Sequence, residues 1–357
     1  MVLDLGSADA EQFVVETRRI PAGWFGVATA VLAVAVLAGV TIGPASIGWF
    51  DALREILDQV PGVNIDSGLS PAQSAIITEI RLPRVVLGLL VGAMLSLTGA
   101  AYQGAFRNPL VDPYLLGIAA GAGLGATVAI VSGVGTGSGL VDAVPLAAFA
   151  GALVAVAISY VAGNMGGRST VSLVLAGVAV ASFLTALQTY VLQRHSDVIR
   201  EVYSWILGRL ATSGWGEVTL LAPYFVLTCV VMIRYSHALD VLSVGDEEAA
   251  SLGLDPRRVR LVVVVVASLG AAAAVSVSGL IGFVGIIVPH AVRLLVGVRH
   301  RAVLPMTILV GGAFMVVADL LARTMMSPAE LPIGVVTAFI GAPFFVLVLR
   351  TSNRRAW

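Results

Sequence analysis

The chain contains no lysine. All 21 of its basic residues are arginine, so it cannot build the G-x-x-x-x-G-K-[ST] loop that cradles nucleotide phosphates, and any ATP that powers it must be hydrolysed by a partner. Cysteine is nearly absent: Cys229 stands alone and rules out an intrachain disulfide. The four histidines, His195, His237, His290 and His300, are scattered, with no H-E-x-x-H pattern and no cysteine pair. Metal catalysis therefore has no ligand set, and neither a cofactor nor a catalytic residue is expected. Charge of either sign is scarce, at 12 % of residues, and the net balance is zero.

What fills the 357 residues is apolar: 58 % of the chain, with a mean hydropathy of +0.97. This is the composition of a polytopic membrane protein. A hydrocarbon core of about 30 Å takes roughly 20 apolar helical residues, and ten such runs are present, near 22–42, 82–104, 114–133, 144–163, 171–193, 218–235, 259–277, 280–297, 303–322 and 332–350. They are continuously apolar rather than alternating, which selects helices over a barrel and an all-α fold. The expected organisation is a tail over 1–21, one transmembrane domain over 22–350 and a tail over 351–357. Arg18 and Arg19 ahead of the first run suggest a signal peptide, but the run is long and its leader carries Asp4, Asp9, Glu11 and Glu16, so an uncleaved helix is expected.

Arginine placement gives orientation. With the N-terminus inside, fourteen arginines fall on cytoplasmic segments and seven, Arg54, Arg81, Arg84, Arg194, Arg200, Arg209 and Arg323, on outer ones. That bias predicts both termini in the cytoplasm. It also leaves Arg81 and Arg84, in "RLPR", on the side where basic residues should be rare.

Two connections stand out. The outer segment 43–79 contains "IGWFDALREILDQVPG", in which Ile47, Phe50, Leu53, Ile56, Leu57 and Val60 recur near helical spacing while Asp51, Arg54, Glu55 and Asp58 face elsewhere. It reads as an amphipathic helix on the outer surface or a cap over helix ends. The inner loop 236–258, "SHALDVLSVGDEEAASLGLDPRR", is acidic, is punctuated by Gly245 and Gly253, and ends in Pro256, a helix-start residue. Two short helical pieces are expected there, either as a docking surface or as a solvated connector.

Within the spans, small residues dominate. Gly88, Gly92, Ser96, Ala100 and Gly104 recur every four residues along the second run, a narrow face that lets another helix approach closely. The strings "GAGLG" (121–125) and "GTGSG" (135–139) follow no soluble strand and are not read as dinucleotide loops. Asp319 is the clearest intramembrane acid. Arg323, one turn later, is placed to neutralise it.

Six ordered stretches, "RLPR", "GAMLSLTGAAYQGAFRNPLVDPYLLGIAAGAGLGA" (92–126), "LAGVAV" (175–180), "WILGRL" (205–210), "SGLIGFVGIIVPHAVRLLVG" (278–297) and "ADLLARTMMSPAELPIGVVTAFIGAPFFVLVL" (318–349), resemble the FecCD-type permeases. These are the membrane subunits of bacterial ABC importers for ferric siderophores, haem and cobalamin. The resemblance covers 80–350 and implies ten helices, a bacterial plasma-membrane location, a second identical or homologous permease, two cytoplasmic ATPase subunits and an external substrate-binding protein. Membrane lipid surrounds such a chain, and no nucleic acid is implied. Arg81, Arg84 and Arg323 match positions that receive acidic residues of the binding protein, a task suited to a bidentate, permanently charged guanidinium. Ala249, Ala250, Gly253 and Leu254 match the ATPase-coupling contact. Thr170 and Val171 match the cytoplasmic gate on a pathway-lining fifth span. Arg209 stands where relatives often have a small residue, and is expected at the outer mouth, facing substrate or binding protein. The favoured cargo is a ferric siderophore, with haem or cobalamin as alternatives. An ion-coupled carrier would want several intramembrane carboxylates, and Asp319 is nearly alone. An intramembrane enzyme would need a nucleophile and base inside the bundle, and no such pair is seen.

Overall fold

The computed structural model describes residues 22–43, 47–59, 65, 67–133, 143–165, 170–210 and 214–352. The tail 1–21 with Arg18 and Arg19, Val60, the 135–139 glycine string, Arg168 and residues 353–357 lie outside the described residues.

The ten expected runs appear as α1 (Ala22–Thr41), α4 (Leu82–Phe106), α5 (Ile118–Val131), α6 (Ala143–Met165), α7 (Thr170–Arg194), α9 (Gly216–Leu242), α11 (Pro256–Ser278), α12 (Val284–Val296), α13 (His300–Thr324) and α14 (Ile333–Ser352). Four short helices join them: α2 (Trp49–Asp58), α3 (Pro71–Ala75), α8 (Ile199–Ile206) and α10 (Asp246–Ser251). No strand occurs among the described residues. Among the described residues seven helices are long and apolar enough to cross a bilayer, while α5, α12 and the start of α14 are shorter apolar pieces. At 1.5 Å per residue, the 13 residues of α12 reach only about 20 Å. The rest of that crossing is the irregular stretch 279–283, which is packed against protein: Tyr114 Oη donates to the Ile281 carbonyl at 3.0 Å. Non-helical backbone at membrane depth is tolerated only when it is sheltered in this way.

Helix α4 is the axis of the bundle and packs against α9, α11, α12 and α13. The stripe of small residues explains the closest of these pairings. A Cβ at Gly92 would collide with the carbonyl oxygen of Gly311 on α13, and one at Gly311 would collide with Ser96. Further along the stripe, Gly104 lies against the ring of His300. Backbone-to-backbone contact of this kind replaces the hydrophobic driving force that lipid does not supply.

Two local features differ from the pattern reading, and a third refines it. The second run does not begin at residue 82. The helix already runs from Pro71, and a π-helical turn over Ile76–Arg81 widens the backbone just ahead of the proline, where Leu82 N–H donates back to Ile77. Such a turn accommodates a missing N–H and a bulky ring. Helix α9 continues seven residues past its apolar run because Ser236, Leu239 and Leu242 bury one face; the connection to α11 shortens to 243–255. Helix α2 forms as expected, with one polar residue turned inward. Glu55 points inward and accepts from Ser67 Oγ at 2.6 Å, while Trp49, Phe50, Leu53 and Leu57 are exposed. An aromatic, apolar outer face suits a membrane interface.

Candidate functional site

Chemistry-bearing residues gather at the two ends of α4. At its start, Arg81 turns towards α1 and donates through Nη1 to the carbonyls of Val40 and Thr41, at 2.8 and 2.9 Å. These are among the last carbonyls of α1, which have no partner within their own helix. Arg84 donates through Nε and Nη2 to Asp319 at 2.8–3.1 Å. The same guanidinium reaches both oxygens of Glu330 at 2.9 Å through Nη1 and Nη2. Arg323 lies one turn beyond Asp319, with its Nε 3.5 Å from that carboxylate and Nη2 donating to the carbonyl of Gly39. The expected neutralisation of Asp319 by Arg323 is present, and Arg84 is the stronger partner.

Burial decides what this cluster shows to its surroundings. Arg81 is 4 % exposed, and the side chains of Arg84, Arg323 and Asp319 are 13 %, 7 % and 4 % exposed, while that of Glu330 is 49 % exposed. The accessible member is thus an acid that sequence reasoning missed. The hydrogen bond from Arg84 holds its carboxyl below the usual glutamate range. Its only sequence signal is its place inside the "MMSPAELP" stretch.

Beside the cluster lie two clefts. The larger, about 570 Å³, is lined by Asp197, Arg200, Glu201, Ser204, Arg209 and Glu217 among others; the smaller, about 200 Å³, by Arg84, Ser204, Arg209, Asp319 and Glu330 among others. Ser204 and Arg209 border both. The segment carrying Arg209 is stitched in place: its own N–H donates to Ser278 at 2.8 Å, and Gly334 N–H donates to Leu207 at 3.0 Å. Arg209 is exposed and borders the smaller cleft together with Arg84.

At the other end of α4, the connection 243–255 forms the six-residue α10 and a return loop. Ala249 is buried, Leu254 is half-buried, and Ala250 and Gly253 are exposed, as are the apolar Val244 and Leu252. Gly253 has φ +83, a left-handed conformation that side chains strain to adopt. Three ties that sequence reasoning did not single out anchor this segment and the end of α9 that leads into it. Asp246 meets Arg107 at 3.3 Å and Arg260 at 3.0 Å, and Asp240 accepts from the backbone N–H of His300 at 2.6 Å. Helix α7 begins at this end with Thr170, whose side chain lies outside the described residues. Val171 is 66 % exposed, and Leu175, Val178, Phe183 and Tyr190 continue an open apolar face along the helix.

A FecCD transport family profile matches residues 31–351. The chain belongs to the FecCD transport family. It is 44 % identical over 290 residues to the cobalamin import system permease protein BtuC of Halobacterium salinarum, covering 81 % of this chain and 77 % of that one. To the Fe(3+)-citrate import system permease protein YfmD of Bacillus subtilis it is 37 % identical over 286 residues, covering 79 % and 83 %. A solved inward-facing structure, described as a metal-chelate type ABC transporter, superposes with a TM-score of 0.80 at 31 % identity, over 93 % of this chain and 99 % of that one. The chain is thus a multi-pass permease of the ABC importer type.

Proposed function

We propose that the chain forms half of the translocation pathway of a metal-chelate importer in a bacterial plasma membrane, with a second permease, identical or homologous, supplying the other half. The Asp246 end faces the cytoplasm, where α10 and the return loop sit in a cleft of a partner ATPase. The observation that carries this reading is the 243–255 connection. It presents Ala250, Val244, Leu252 and Gly253 to the exterior of a chain that has no lysine and so no phosphate loop of its own. Ala249 and Leu254 seat the segment from beneath. The exposed face of α7, from Thr170 and Val171 onward, lines the pathway and its cytoplasmic gate.

The Arg84 end receives an external binding protein. Arg81 and Arg323 frame the landing site from below, and Arg84 makes the contact by exchanging Glu330 for a carboxylate of the partner. Arg209 faces the arriving cargo from the rim of both clefts. The cargo is a metal chelate. Ferric siderophore is the commonest cargo of the family, and a corrinoid is the second reading, because the relative at 44 % identity carries a cobalamin-import name. Ligand binding by the cognate binding protein separates the two.

The docking role of the loop is tested by Ala250→Trp. The side chain is exposed on a regular helix, so the chain should insert and fold normally while co-purification of the ATPase and uptake both fall at least tenfold. Gly253 is the poorer probe because its backbone strains under any side chain. Normal ATPase retention by Ala250→Trp contradicts the docking role.

A further inference from the structure

Asp246 differs from its neighbours Glu247 and Glu248. All three stand in the first turn of α10, where any carboxylate is favoured by the helix dipole. Only Asp246 has its carboxylate engaged by two arginines from other helices. Oδ1 lies 3.3 Å from Arg107 Nη2, and Arg260 Nη2 donates to both oxygens at 3.0 and 3.2 Å. Arg260 also donates through Nε to the carbonyl of Ala105 at 3.0 Å, near the end of α4. Arg107 itself caps α4 at φ 51, ψ 37, a left-handed position that glycine or asparagine ordinarily fills. An arginine there gives up backbone comfort and gains a guanidinium aimed at Asp246.

The backbone of α10 packs beside α9 and α11, so the Asp246 side chain is what reaches the end of the bundle's axis. A second tie flanks the segment: Asp240, near the end of α9, holds His300 at the start of α13, and the ring of His300 rests on Gly104 of α4. Helices α4 and α13 are locked together along their length at Gly92 and Gly311, and again at the far end by Arg84 and Asp319. A displacement of α10 therefore has a continuous, stiff route to the Arg84 cluster and the clefts beside it.

We propose that Asp246 is the positioning residue through which the ATPase-facing segment drives the α4–α13 unit, coupling hydrolysis at one end to opening at the other. The inference rests on the reading of 243–255 as the ATPase contact and adds a function to that contact which docking alone does not need. Asp246 and Arg107 are both about half exposed, at 45 % and 43 %. The Asp246–Arg107 pairing contributes little to stability, so the chain is expected to stay folded without it.

The test uses the assembled importer in proteoliposomes and measures uptake per ATP hydrolysed. Asp246→Asn should lose stimulation by loaded binding protein and cut uptake per ATP at least tenfold, out of proportion to any change in ATPase retention. Asp246→Glu should restore most of the ratio, and Arg107→Gln should reproduce the loss while the Arg260 brace remains. Unchanged uptake per ATP in Asp246→Asn overturns the proposal. So does loss of ATPase retention in proportion to uptake, since that makes Asp246 only a prop for the docking segment. ATPase retention by wild type and by Ala250→Trp, scored in parallel, reports separately on whether the segment is the docking site at all.

Discussion

Removing the Arg84 guanidinium while keeping its bulk, as in Arg84→Met, strands the most deeply buried charge of its cluster. Asp319 loses contacts at 2.8–3.1 Å and keeps Arg323 Nε at 3.5 Å. Breaking a buried pair by deleting one partner costs about 3–5 kcal/mol, and the remaining arginine offsets part of that, leaving about 2–4 kcal/mol. Glu330→Gln removes a half-exposed partner from the same guanidinium, worth about 0–1 kcal/mol. The double change Arg84→Met with Asp319→Leu deletes both members of that pair and should recover part of the single-mutant loss, Arg323 keeping its hydrogen bond to the Gly39 carbonyl. Melting temperatures of the purified chain in detergent then rank as wild type, Glu330→Gln, the double variant, and Arg84→Met lowest, with the Glu330→Gln drop about 2 °C or less. Acid supplies a second view. The Glu330 carboxyl is held below its unfolded value of about 4.3 by Arg84, so its contribution is present above that pH and fades as pH falls through the lower folded value. The small advantage of wild type over Glu330→Gln should vanish in strong acid. If Glu330→Gln costs as much as Arg84→Met at neutral pH, burial does not set the energetics of this cluster.

The remaining expectations concern docking and packing. Glu330→Gln should free Arg84 for an acidic partner and raise affinity for the binding protein several-fold, Arg84→Glu should abolish the gain, and association should slow as salt rises; salt-independent association contradicts a charged landing site. In α4, Gly88→Ala should be tolerated because its Cβ would meet a leucine methyl at 3.3 Å, whereas Gly92→Ala should block folding because its Cβ would strike the Gly311 carbonyl. Detergent-stable yield of the two variants decides between side-chain and backbone contact.

The ten apolar runs and the α4 stripe were legible because lipid imposes a length and a composition that single-sequence patterns carry directly. The Asp319–Arg323 pair was legible for the same reason: one turn of helix brings the two together. Partners distant in sequence were not. Arg84 meets Glu330 across 246 positions, and no periodicity links them, so arginines that look free in "RLPR" turn out to be committed inside the chain. The buried Glu55 of α2 has a related cause: Ser67, a hydroxyl partner that admits it to the interior, lies twelve residues away. The end of α9 escaped because Arg234 closes the apolar run, while the helix continues on packing rather than hydropathy. The ties of Asp246 and Asp240 lay in a segment whose acidity was plain and whose targets on α4, α11 and α13 were not.

The central claim is that this permease is driven by a partner ATPase acting on the 243–255 segment. The most direct measurement is chelate uptake into proteoliposomes holding the chain alone or with its ATPase and binding protein. The account predicts no hydrolysis and no uptake by the chain alone under a proton or sodium gradient, and ATP-dependent uptake once the partners are present. Gradient-driven uptake by the chain alone contradicts it.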